Sequence, residues 1–279
     1  MLEPLIWMFK NKDFIKHYFL LLIISLFIPV IIVFSPNFSF NFPKNFNINN
    51  IEYLIQLFYF LLLMLPFLII SGYFWNLADN IANREIDITA SNIYDGKIAI
   101  HKYFNLPDID ILKLIWRGIS SIISIALLFS PFIAISLNSA VDFQSISDFW
   151  GWENLATDYL SIILLIFIFI FLPALLWNYA RRDSIIAILN IPLAVYIYDN
   201  FKKTYFLNYL YFFIVAVIYF FIVKYTALGL GINSITSIQI NSVNKFSFFI
   251  FCIAHNVLGI YLLFINAFLL GTIVPPSEA

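Results

Sequence analysis

Charge is the scarcest property of this sequence. Only 11% of its 279 residues are Asp, Glu, Lys or Arg, where a soluble domain of this size carries about a quarter. Against this, 62% are hydrophobic. That excess is too large to hide in one aqueous core, so lipid must act as solvent for much of the chain. The formal net charge is −1, which argues against general affinity for nucleic acid or anionic lipid. Cysteine is almost missing as well. Cys252 stands alone in an apolar run, which excludes an intramolecular disulfide. No phosphate-cradling loop, nucleophile elbow, Cys/His cluster or pair of catalytic carboxylates occurs, and Gly229 and Gly231 read as a turn. The sequence therefore names no catalytic residue, no metal ligand and no cofactor. Period-two alternation is lacking too, which argues against a transmembrane β-barrel. The 33 phenylalanines fit AT-rich coding as well as any function, so no aromatic site is inferred from them.

What is present is six apolar runs near or above the roughly 17 residues that span hydrocarbon. They cover Tyr18 to Phe34, Tyr53 to Trp75, Gly118 to Ser136, Tyr159 to Trp177, Tyr205 to Leu228, and Phe246 to Val274. The expected fold is all-α: one transmembrane helical bundle over residues 1–279, with about six spanning helices. The first run follows Lys10, Lys12 and Lys16, the order of a cleavable signal. It is longer than most signal cores, and Phe34-Ser35-Pro36 is a poor cleavage site, so a retained helix is expected. The last run is long enough to tilt or break, with Gly259 as its weak point.

Orientation follows from the basic residues. With the N-terminus inside, twelve of the fifteen Lys and Arg fall on the inner side, leaving Lys44, Lys224 and Lys245 outside. The positive-inside rule then places both termini in the cytoplasm. Trp7, Trp75, Trp116 and Trp177 are expected at the inner interface, and Trp150 and Trp152 in an outer loop. The plasma (inner) membrane is the default location, with an internal photosynthetic membrane as the alternative. The connections Asn76 to Asp110 and Asp183 to Asn200 mix polar and apolar residues, which suits interfacial helices limited by Pro107 and Pro192. The second alternatively dips into the membrane.

A faint repeat is visible. Leu65-Pro66 followed by Trp75-Asn76-Leu77-Ala78 is echoed by Leu172-Pro173 followed by Trp177-Asn178-Tyr179-Ala180. The corresponding units, 53–137 and 159–228, run in the same direction and would form a parallel repeat. Convergent chemistry at helix ends explains the shared Trp and Asn nearly as well.

A resemblance rests on several of the same residues. They are Gly72-Tyr73, Leu106-Pro107, Gly118, Pro131, Pro173-Ala174-Leu175-Leu176, Tyr179-Ala180, Asp183-Ser184-Ile185-Ile186-Ala187, Ala254-His255-Asn256-Val257-Leu258-Gly259 and Tyr261. In this order they resemble a family of polytopic bacterial and archaeal membrane proteins known as a domain of unknown function, of the DUF 4013 type. The resemblance covers most of the chain from the second helix onward, and it implies the fold without a reaction. Where that family often has a polar residue after the glycine, this chain has Ile260.

Candidate binding residues are few. His255 and Asn256 lie inside the last apolar run, where polar side chains mark either function or one interhelical hydrogen bond. Lys113 and Arg117, four apart and on one helix face, suit a phosphate-bearing group or a snorkelling anchor. Arg181 and Arg182 carry the same two readings. Asp108 and Asp110 read either as partners of Lys113 or as metal ligands. His17 and His101 are expected to be solvated. Ser120 and Ser124 form a small-xxx-small pair suited to close helix approach, and Asn208 and Asn266 are expected to pack between helices. Three functional classes follow. The first is a non-enzymatic accessory or assembly protein, partnered by the lipid bilayer and other membrane subunits. The second is a transporter-like protein for a small or lipidic substrate, and the third an enzyme acting on lipid headgroups.

Overall fold

The computed structural model describes residues 13–34, 51–82, 106–107, 109–138, 159–229 and 245–273. Among them the chain is almost entirely helical, with no strand. The helices are α1 (Phe14–Phe34), α2 (Ile51–Ala82), α3 (Ile111–Asn138), α4 (Tyr159–Arg182), α5 (Ile191–Asn200), α6 (Lys202–Gly229) and α7 (Lys245–Gly271). One 3-10 turn, Ile185–Leu189, links α4 to α5. Five helices, α1, α2, α3, α6 and α7, contain stretches long and apolar enough to cross a membrane. Their outer faces are apolar: Ile23, Phe58, Phe67, Leu112, Phe206 and Phe220 all point away from the protein. Water would not tolerate so continuous an apolar coat, whereas lipid does.

Helix ends follow local chemistry. Asp110 caps α3, its Oδ1 accepting from the N–H groups of Leu112 at 3.1 Å and Lys113 at 3.3 Å. Asn190 caps α5 by accepting from Leu193 N–H at 3.2 Å, and Pro192 occupies the first turn, where its missing N–H costs nothing. Pro29, Pro66 and Pro173 lie inside helices. Close to Pro173 the Tyr205 hydroxyl donates to the Ile170 carbonyl at 2.5 Å. Neighbouring groups of this kind make intramembrane prolines tolerable.

Helix α2 is the hub, packing against α1, α3, α4 and α7. Its crossing with α3 is the tightest. A methyl group at Gly72 would fall on the Leu114 backbone, and one at Gly118 on the Leu68 backbone. Beside this crossing the Ser71 and Ser121 hydroxyls meet at 3.2 Å. Helix α1 is pinned to α7 by Tyr18, whose hydroxyl donates to the Val257 carbonyl at 2.6 Å, and by Asn256, whose amide donates to the Ser25 carbonyl at 3.1 Å. Phe14, Tyr73 and Phe264 fill the core between α1, α2 and α7.

Several expectations need correction. Helix α2 does not stop at Trp75 but runs to Ala82, and α3 begins at Ile111 rather than Gly118. These polar turns stay helical because their charged and amide groups are satisfied against one another. The first residues of the expected surface segment Asn76 to Asp110 are therefore buried bundle; residues 83–105 lie outside those described. Trp116 faces outward, but Trp75 and Trp177 are inside, only 4% and 3% exposed. They pack the core instead of joining an interfacial belt. Trp7, Trp150 and Trp152 lie outside the described residues. Helix α7 passes through Gly259 unbroken. The Asp183 to Asn200 segment divides into the 3-10 turn and α5, with Ile188, Ala194 and Ile197 buried while Ile186 and Tyr196 are exposed.

Candidate functional site: a polar cleft around Arg117

The start of α1, the end of α2, the start of α3 and the end of α4 meet at one end of the bundle. Arg117 is at their centre, with its side chain 3% exposed. Its Nη1 donates to Asn76 Oδ1 at 2.5 Å and to Asp79 Oδ2 at 3.1 Å. Its Nη2 donates to the Ala180 carbonyl at 2.5 Å. Its Nε lies 3.3 Å from Asp183 Oδ1 as an ion pair. One guanidinium thus ties α2 and α4 to α3. A planar fork suits this role, because its donors point in several fixed directions at once.

Each partner is placed by local structure. Asn76 and Asp79 are three residues apart on α2 and share a face. Ala180 presents its carbonyl in the last turn of α4, where carbonyls have no partner within the helix. Asp183 ends that helix with φ of 47°, a left-handed conformation that Asp adopts more readily than most residues. Its N–H closes on the Tyr179 carbonyl at 3.0 Å. Beneath the arginine, the Tyr179 hydroxyl meets Ser120 Oγ at 2.6 Å and donates to the Arg117 carbonyl at 3.2 Å. The Trp75 and Tyr179 rings pack edge to face at 4.9 Å. The two Trp-Asn corners therefore touch, but their asparagines differ in task. Asn76 accepts from Arg117, whereas the Asn178 amide donates to the Ala187 carbonyl in the 3-10 turn.

Beside Arg117 opens a polar cleft of about 650 Å³. Asp13, Lys16 and His17 line it from the start of α1, Asn76, Asp79 and Asn80 from α2, and Lys113 and Arg117 from α3, with Leu106, Pro107 and Ile109 forming an apolar wall. The lining carries both basic and acidic groups and, among the described residues, no Ser, Thr or Cys. His17, expected in solvent, is buried, and its Nδ1 is 2.9 Å from the Tyr73 hydroxyl. His101 and Asp108 lie outside the described residues.

The structure brings Lys113 and Arg117 together but separates the other candidates. Arg181 lies over the Trp177 ring at 5.2 Å, and Arg182 is exposed. His255 and Asn256 lie about 16 residues before Gly271 on α7, roughly 24 Å along the helix. There His255 Nε2 is 2.7 Å from Thr226 Oγ1 of α6. That hydroxyl also lies 2.6 Å from the Ile222 carbonyl, so it spends its proton there and accepts from Nε2–H. His255 Nδ1 is buried without a hydrogen-bond partner. Asp110 is a helix cap. The sequence reading missed Asp79, Asp183 and His17. A carboxylate three residues beyond Asn76 was the available signal, since a charge on a spanning helix calls for a partner. No family model matches the sequence, and no curated protein or solved structure matches it either.

Proposed function

We propose that the protein is a non-enzymatic accessory or assembly protein of a membrane, acting through the cytoplasmic end of a six-helix bundle. One observation carries this reading. Both terminal nitrogens of the Arg117 guanidinium donate to acceptors of its own chain, and its Nε, which makes no hydrogen bond, is paired by charge with Asp183. The central charge is thus spent on holding α2, α3 and α4 together and is not presented to a substrate.

In this proposal α4 is the sixth span. Its 24 residues extend about 36 Å, against hydrocarbon of about 30 Å. The N-inside orientation is supported by Lys16, Lys113, Arg181, Arg182, Lys202 and Lys203, which lie at or beyond the helix ends on the cleft side, opposite Lys224 and Lys245. Kinship with the family of unknown function remains part of the proposal, as do the inner membrane as location and other membrane subunits as partners.

Topology is tested in a Cys252→Ser background. Cysteine replacing Ser184 should resist an impermeant maleimide in intact cells, and cysteine replacing Ser145 should react. Labelling of the former before permeabilisation would overturn the orientation. The accessory reading is tested by purification in mild detergent. A stoichiometric membrane partner should accompany the protein and be lost with Lys113→Glu at unchanged melting temperature. A lone protein that moves solute into proteoliposomes would favour the transporter-like alternative.

A further inference from the structure

Between α4 and α6 the chain presents apolar side chains where a connection in water would present polar ones. From Ser184 to Tyr198 no residue is charged. Ile188, Ala194 and Ile197 anchor this segment on the bundle. Ile186, Leu189, Ile191, Val195 and Tyr196 point outward, with Ile186 74% and Tyr196 59% exposed. An uncovered apolar face of this kind marks a contact with lipid or with protein.

Three observations favour lipid. First, the segment folds back along α4. The Tyr198 ring packs at 5.8 Å against Phe171, eleven residues before α4 ends at Arg182, or about 16 Å along the helix. Phe169 and Ile170 beside it are exposed and belong to the apolar coat, which the outer face of α5 extends. Second, backbone groups at the two bends find partners within the chain. Ala187 N–H donates to the Ser184 carbonyl at 2.9 Å, and Asn190 N–H to the Ala187 carbonyl at 3.2 Å. The buried Asn178 amide also reaches the Ala187 carbonyl, and Asn190 Oδ1 takes the Leu193 N–H. A loop in water can leave such groups to solvent, whereas one in lipid must satisfy them itself. Third, basic residues bracket the segment, Arg181 and Arg182 before it and Lys202 and Lys203 after it. The acids nearest in sequence are engaged, Asp183 by Arg117 and Asp199 by Lys202 at 3.1 Å. Arg182 and Lys203 are exposed and make no ion pair among the described residues. The net charge of the whole chain gives no general attraction to anionic lipid, so a preference has to be local to these two ends.

We propose that Ile185 to Tyr198 lies half-embedded in the cytoplasmic leaflet, with its outer face on acyl chains and with Arg182 and Lys203 on the phosphates of anionic phospholipid. Apolar faces of interfacial helices are buried about 5–10 Å into the boundary between headgroups and chains, which puts flanking cations at phosphate level. The inference does not depend on the accessory reading. Only the choice of leaflet rests on the orientation proposed above.

The test places a bimane fluorophore at Tyr196→Cys in the Cys252→Ser background, using the purified full-length protein in nanodiscs. Both faces of a nanodisc carry the same lipid, so the result does not depend on orientation. Phosphatidylcholine brominated on its acyl chains should quench this fluorophore about as well as one at Phe206→Cys, an exposed position of α6. Brominated phosphatidylglycerol diluted into unbrominated phosphatidylcholine should associate about fivefold more tightly than brominated phosphatidylcholine, the effect of one basic side chain at an anionic surface. Arg182→Gln combined with Lys203→Gln should bring that ratio close to one. If Tyr196→Cys lowers the melting temperature, Ile186→Cys gives the same reading. Absence of bromine quenching in a folded variant, with water or protein covering the face, would overturn the proposal. So would a ratio near one with both basic residues present, or a ratio that the double substitution leaves unchanged.

Discussion

Gly72 and Gly118 occupy reciprocal positions: each lies against the backbone of the opposite helix, Gly72 against Leu114 and Gly118 against Leu68. Neither can take a side chain without pushing α2 and α3 apart. Gly72→Ala and Gly118→Ala should each cost about 1–3 kcal/mol, the usual range for overpacking. The double variant should cost less than the sum, because a single separation relieves both clashes. Thermal unfolding of the four proteins in detergent measures this. Strict additivity would mean that the two glycines act independently.

Arg117→Leu should be the most damaging single change at the cleft. It leaves Asp79 and Asn76 without their cationic partner, and breaking a buried pair costs about 3–5 kcal/mol. Arg117→Lys should fall between, since an ammonium lacks the planar fork that reaches α2 and α4 together. Adding Asp79→Asn to Arg117→Leu should restore part of the loss by removing the orphaned charge. Unfolding midpoints of the three variants give the order.

Asn76 and Asn178 look alike in sequence and should differ in effect. Asn178→Leu removes the bond to the Ala187 carbonyl, so it should expose the chain between Asp183 and Asn190 to protease while the melting temperature changes little. Asn76→Leu should lower the melting temperature through Arg117 and leave that cleavage pattern unchanged. Limited proteolysis read by mass spectrometry separates the two, and identical digests would refute the division of labour.

His255 and Thr226 join α6 to α7, and a double-mutant cycle should find about 0.6 kcal/mol between them, the mean for such bonds in a membrane. His255→Asn should remain close to normal, whereas His255→Leu should lose about 1 kcal/mol. If His255→Asn folds normally but abolishes the cellular phenotype, the histidine is a ligand or proton carrier instead of a packing residue.

The all-α fold was legible because hydrocarbon imposes one strong rule: a spanning segment must be long, apolar and hydrogen-bonded within itself. The same rule misplaced the helix ends. Hydropathy reports where lipid stops, but Asn76, Asp79 and Arg117 remain helical beyond the apolar runs because they meet one another. Arg117 was singled out by its charge and its register with Lys113. Its partners were not, since Ala180 contributes only a carbonyl and Asp183 lies sixty-six residues further along the chain. Trp75 and Trp177 were assigned to the interface by type, a tendency that fails where an aromatic ring fills space between helices. His17 was assigned to solvent for want of a metal-binding neighbour. Its partner is the Tyr73 hydroxyl on another helix, and sequence spacing carries no record of that pairing.

Arg117 also imposes an order on how the chain is made. Asn76 and Asp79 precede it, while Ala180 and Asp183 follow more than sixty residues later. At about 5–20 residues per second, the ribosome needs roughly 3–13 s to supply that second pair of acceptors. Two of its acceptors, Asn76 and Asp79, are already in the chain through this interval, so the α2–α3 pair can hold the guanidinium before α4 is made. When α4 emerges, its carboxyl end docks onto donors already in position, and the bundle closes around a socket built in the first half of synthesis.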